Sequence, residues 1–126
     1  MKLNLETRKV NGIVVIVCCG RFTYREEATA FSEKIAEVLP GARQVVIELS
    51  GVEAMDSAGL GELVVVHMWA RACGGSLRLA GANVRIRQLI ELTNLASVFE
   101  MHPTLDEAIL SFHRNMGKTE TAASAA

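Results

Sequence analysis

Apolar positions alternate loosely from Leu3 to Lys9, break at Asn11-Gly12, and resume as one run from Ile13 to Cys19. Asn-Gly between two such runs predicts an antiparallel hairpin, because both turn residues accept positive φ. Gly20 reads as the end of the second strand. Ala28, Phe31, Ile35, Ala36 and Leu39 then recur at helical spacing, and Pro40-Gly41 closes that helix. The β-branched run Gln44 to Leu49 predicts a third strand. From Ser57 to Cys73 the segment is too long for one strand, and Gly74-Gly75 stops it. It reads as a helix even though Val64, Val65 and Val66 individually favour strand. Ser76 to Ala80 is a fourth strand, Asn83 caps a helix from Val84 to Leu92, and Asn94 is a left-handed stop. A short strand near Val98 to Met101 follows. Thr104, with Glu107 three residues on, forms a capping box for a last helix ending near Phe112.

The order is ββαβαβαβα. Such alternation requires crossover connections, so the fold class is α/β, with a mixed, mostly parallel sheet of four to five strands and about four helices. The hairpin supplies the one antiparallel pair. Residues 1–112 form one domain. After His113 the chain turns polar and alanine-rich, and 113–126, with "GKTETAASAA", is expected to be a flexible tail.

Composition narrows the function classes. A chain of 126 residues with half its residues hydrophobic can bury a core without a metal or disulfide staple. The formal charge of −1 gives no electrostatic footprint for nucleic acid or an anionic membrane. No basic segment with an apolar h-region opens the chain, and no apolar run approaches a membrane span. The three cysteines, Cys18, Cys19 and Cys73, form no disulfide framework, which favours a reduced, cytoplasmic compartment.

The most polar short cluster lies in "EAMDSAGLGEL", residues 53–63, between two apolar runs. Ser57 falls at the mouth of the second long helix. On residue type alone it reads as a helix cap, since a serine oxygen accepts from the first, unpartnered amides. The same place suits a phosphate. Modification there adds about −1.5 to −2 charges where helix amides tolerate an anion, and Asp56 next door would oppose it.

"VVIELSGVEAMDSAGLGEL", "GGSLRLAG", "VRIRQLIELTNL" and "LDEAI" resemble a STAS domain of the bacterial anti-sigma factor antagonist type, from about Leu3 to Phe112. The resemblance implies a βα fold with helices largely on one face of the sheet. No acid, base and nucleophile converge anywhere in the sequence, so no enzyme activity is expected, and no residue pattern points to a cofactor. The resemblance also implies a phosphoacceptor at Ser57 within a loop of Asp56, Ala58, Gly59 and Thr23. The partner it implies is an anti-sigma factor serine kinase, which the unmodified antagonist binds to free the sigma factor. Phosphorylation releases the antagonist, and a serine phosphatase resets it. Two departures stand out: Thr23 occupies a position that is often acidic in the family, and Ala58 replaces a frequent hydroxyl residue. A second reading is a constitutive STAS subunit of a lipid-transport ABC system or a stress-signalling complex, with Ser57 only a cap.

Projected at about 100° per residue, Leu60, Leu63, Val64, His67 and Ala70 share one side of the second long helix. Val65, Met68, Trp69 and Ala72 share the other, near Glu62. A helix on a sheet hides one side, so the second set is placed outward as an apolar patch beside Ser57. The partner surface is then Asp56, Ser57, Leu60, Glu62, Val65, Met68 and Trp69, and the patch also suits a homodimer. His67 lacks metal-ligand partners and reads as a satisfied, partly buried histidine rather than a catalytic base. Cys18 and Cys19 point to opposite faces of one strand. Arg85 and Arg87 read as a solvated helix face. "GLGEL" lacks the lysine and hydroxyl residue of a phosphate loop.

Overall fold

A computed structural model describes residues 3–113. Strands β1 (Asn4–Val10), β2 (Ile13–Phe22), β3 (Gln44–Met55), β4 (Ser76–Ala80) and β5 (Glu100–His102) lie side by side in sequence order. β1 and β2 pair antiparallel around Asn11 and Gly12, whose φ values of 53° and 81° are those of the hairpin turn the sequence predicts. Every later neighbour is parallel. Helices α1 (Tyr24–Val38), α2 (Ser57–Ala72) and α3 (Val84–Leu92) make the crossovers, and residues 105–113 form α4.

Adding each parallel strand to the same edge through right-handed crossovers must put α1, α2 and α3 on one face of the sheet. The main core shows this. Phe31 and Ile35 of α1, Leu63 and Val66 of α2, and Ile86 and Ile90 of α3 pack with Ile16, Ile47 and Leu79 of the strands. α4 follows the last strand and is under no crossover constraint. It covers the opposite face, where Ala108, Ile109 and Phe112 pack on Ile13, Val15, Val46 and Ala80. The buried Arg78 of β4 ties α4 down: it pairs with Glu100 of β5, donates to Ser111 Oγ, and lies 3.8 Å from the Phe112 ring centre.

Several boundaries differ from the sequence expectation. Gly20 has φ 110° but does not end β2, which continues to Phe22. β3 does not stop at Leu49; it runs on to Met55 alongside the second half of β2, after register shifts between Val17 and Cys19 and between Gly20 and Arg21. Gly51 permits this extension, since a Cβ there would lie 2.6 Å from Cys19 Sγ. Ala36 is exposed, and the short last strand is Glu100–His102 rather than Val98–Met101. β4, α3 with its Asn83 cap, and the left-handed Asn94 match the expectation, and Glu107 N donates to Thr104 Oγ1. α4 includes His113; the expected tail beyond it lies outside the described residues.

Candidate functional site

Both long parallel strands deliver their chain to one end of the sheet. β2 ends at Phe22, which is fully buried and packs against Phe31 with ring centres 4.6 Å apart. β3 ends beside it at Met55, in register with Phe22. The turn into α1 and the turn into α2 are therefore neighbours. α3 begins at the same end, because Asn83 caps it through Ile86 N (2.9 Å) while donating to Val52 O of β3 (3.2 Å). Three helix N-termini thus converge at the carboxyl edge of the parallel strands, where α/β folds place their ligand and partner sites.

Asp56 is the residue that organises this end. Its backbone is extended (φ −113°, ψ −173°), the cap conformation, and its Oδ1 accepts from Ala58 N (3.0 Å) and Gly59 N (3.1 Å). Oδ2 accepts from Tyr24 N (2.9 Å), across to the start of α1. One carboxylate therefore caps α2 and fastens the neighbouring turn. Desolvation opposes its charge, but the three backbone N–H donors outweigh it and hold the Asp56 pKa below the ordinary aspartate value.

This corrects the reading of Ser57 as a cap. Aspartate and serine are about equally good caps, and they are adjacent here, so residue type could not choose between them. The extended backbone falls on Asp56, and Ser57 becomes the first helical residue, exposed to solvent. Its hydroxyl is left accessible at the end of α2 where an anion is favoured.

The rest of the loop is close-packed. Gly59 is buried, and a Cβ on it would lie 2.3 Å from Phe22 O and 2.5 Å from the Phe22 ring. Only glycine lets α2 approach β2 this closely. Asp56 N also donates to Phe22 O (3.4 Å). Ala58 is half-buried. Thr23 is buried beneath the turn, and its Oγ1 has no hydrogen-bond partner among the described residues. Thr23 is thus part of the loop, but its side chain is not presented to a partner.

Along α2, the outward set is largely where the amphipathic pattern placed it. Met68 is 62% and Trp69 40% exposed, Ala72 is exposed, and Val65 and Glu62 are half-buried. Leu60 is a correction: at 4% exposure it belongs to the core and offers nothing to a partner. Val66, assigned to neither side from the sequence, is fully buried, while Val64 is half-buried. The helix rotates slightly from the ideal projection so that Leu63, Val66 and Ala70 face the sheet. His67 is half-buried edge-on to Phe99. It is not the satisfied histidine the sequence led us to expect, because its buried Nδ1 has no partner among the described residues. Burial, then the charge of Arg71, lowers its pKa.

Cys18 is buried and its thiol is pushed well up by desolvation, whereas Cys19 and Cys73 are exposed free thiols. No described helix is long and apolar enough to cross a membrane. Among the described residues no cluster of three or more His, Cys, Asp or Glu side chains could hold a metal. Sequence reasoning missed Phe22 and Tyr24. Phe22 supplies the wall of the loop and Tyr24 the third donor to Asp56; the sequence signal for both is only the short stretch "RFTY" between a strand and a helix.

Fold and site together define a small α/β domain that presents a braced helix N-terminus with an accessible hydroxyl and an adjoining apolar strip. The family model for the STAS domain matches residues 4–108, and the chain belongs to that family. A Thermotoga maritima relative named "Putative anti-sigma factor antagonist" is 30% identical over 108 residues, covering 84% of this chain and 96% of its own. The crystal structure of an anti-sigma factor antagonist from Mycobacterium paratuberculosis superposes with a TM-score of 0.79 at 26% identity, covering 87% of this chain and 93% of that one. The phosphorylated form of the Bacillus cell fate determinant SpoIIAA shares the fold, with a TM-score of 0.67 at 20% identity over 87% of this chain and 98% of that one.

Proposed function

We propose that this domain is an anti-sigma factor antagonist switched by phosphorylation of Ser57. In its unmodified form it binds an anti-sigma factor serine kinase and frees the sigma factor. The kinase transfers the terminal phosphoryl group of a nucleoside triphosphate to Ser57 Oγ, the hydroxyl proton and the nucleoside diphosphate leave, and the complex separates. A serine phosphatase hydrolyses the ester and returns the binding form. The domain itself works as a binding module, not as an enzyme.

The observation that carries this reading is the division of labour at the start of α2: Asp56 makes the capping bonds, and Ser57 stands exposed without that structural duty. The names of the relatives, which cover nearly their whole length, point to the same role. The proposed interface covers Asp56 and Ser57 and runs along α2 to Met68 and Trp69, about 18 Å from Ser57 at 1.5 Å per residue. Tryptophan is enriched among residues that dominate binding energy. A phosphate at Ser57 adds a dianion beside the Asp56 carboxylate under the docked partner. An uncompensated charge buried in an interface costs about 3–5 kcal/mol, enough to weaken binding by a factor of a hundred or more.

Titration calorimetry of Ser57→Asp and Trp69→Ala against the partner kinase tests the interface. Each substitution is expected to weaken binding at least tenfold. Unchanged affinity for both removes the proposed surface.

A further inference from the structure

We propose that Tyr24 is a contact residue for the partner engaged at Ser57, and that Asp56 couples the presentation of its ring to the phosphorylation state of Ser57. This rests on the reading of Ser57 as the switch. Tyr24 is the only tyrosine of the chain and is 68% exposed at the first position of α1. Its φ is 63°, a left-handed conformation that is a genuine outlier for a bulky side chain. Strain of this kind persists only where the surroundings over-determine it, and it gathers at functional sites.

The surroundings do over-determine it. Phe22 is locked against Phe31 and against the bare face of Gly59, Thr23 is buried, and the Tyr24 N–H is held by Asp56 Oδ2. The chain enters α1 from a buried position and can continue only by turning outward. Glycine would make that turn without strain. Tyrosine instead places a large, rigid, amphipathic ring at the end of the sheet where Ser57 stands, the kind of side chain that anchors interfaces.

The coupling follows from shared donors. A phosphate at Ser57 is drawn to the N–H groups of the first turn of α2, and those of Ala58 and Gly59 already serve Asp56. Two anions on one pair of donors loosen the Asp56 carboxylate, and the Tyr24 N–H loses the partner that fixes its turn. Phosphorylation then withdraws an anchor as well as adding charge.

Wild type, Ser57→Asp, Tyr24→Gly and Tyr24→Asn are compared for affinity toward the anti-sigma kinase and for thermal midpoint. Glycine and asparagine both accept left-handed φ, so both variants are expected to fold with midpoints at or above wild type. Both are also expected to bind at least tenfold more weakly, about 1.4 kcal/mol. Exchange of the Tyr24 amide hydrogen is expected to accelerate at least tenfold when Ser57 is phosphorylated. If wild type fails to bind, or Ser57→Asp binds as wild type, the switch reading fails and takes this proposal with it. If those two behave as expected while either Tyr24 variant loses less than tenfold, the contact is overturned and the switch stands. Unchanged exchange at Tyr24 overturns the coupling.

Discussion

Replacing Asp56 with alanine removes an acceptor that three backbone N–H groups share: Ala58, Gly59 and Tyr24. Loss of a helix N-cap alone costs about 0.5–2 kcal/mol. The third bond spans 32 residues of sequence and joins two crossover turns, so it adds a net hydrogen bond to a charged group, about 1.5–3 kcal/mol where the site is dry. Asp56 is only partly buried and water can replace some of this, which brings the expected total for Asp56→Ala to about 2–3 kcal/mol. Asp56→Asn keeps one acceptor oxygen and loses the charge, and should cost about half as much. The charge makes the gap depend on pH. The folded-state pKa lies below the ordinary aspartate value. The contribution is therefore complete above about pH 4, the unfolded aspartate range, and is lost as pH falls through the lower folded value. Urea denaturation of wild type, Asp56→Ala and Asp56→Asn at neutral pH and in steps below pH 4 measures both effects. A wild-type-to-Asn gap that stays constant into strong acid, or no gap at neutral pH, would refute the assignment of Asp56 as an ionised cap and clamp.

Gly59→Ala forces a methyl group into Phe22 O and its ring, so it should cost about 1–3 kcal/mol; a thermal midpoint equal to wild type would count against the close approach of α2 to β2. Arg78→Ala removes the pair with Glu100, the bond to Ser111 and the contact with the Phe112 ring, leaving α4 held by the apolar packing of Leu105, Ala108, Ile109 and Phe112. Because Glu100 is half-exposed and can be rehydrated, about 2–3 kcal/mol is expected rather than the larger cost of a stranded buried charge. Limited proteolysis should cut near α4 first, and equal resistance of variant and wild type would contradict the clamp.

What the sequence disclosed, and what it hid, follows from the range of the interactions involved. The hairpin at Asn11-Gly12, the bounds of β4 and the capped α3 were legible because glycine and asparagine set them locally. The extension of β3 to Met55 was not. "SGVEAM" looks like a loop, and only its pairing with Cys19 to Phe22, through an irregular register, makes it strand. The choice between Asp56 and Ser57 as cap was hidden for another reason: the residue types are equivalent, and the tertiary bond from Tyr24 N tips the balance. The outward position of Met68 and Trp69 could be read from periodicity because the helix has one sheet to face. Val66 fell on the border of that projection, where a small rotation exchanges core for surface, while Leu60 lay on its inward side and is buried as that side requires, against its inclusion in the partner surface. The left-handed Tyr24 left no trace in composition or spacing at all.

The proposed switch places the modification on Ser57 Oγ. Peptide mapping by mass spectrometry of the protein purified from its native host, before and after incubation with the partner kinase and ATP, tests it most directly. The expected result is one phosphate, on Ser57, appearing as the kinase complex is lost, with none on a Ser57→Ala variant. An unmodified Ser57 in a chain that copurifies stably with a transporter ATPase would contradict it and leave the domain a constitutive scaffold.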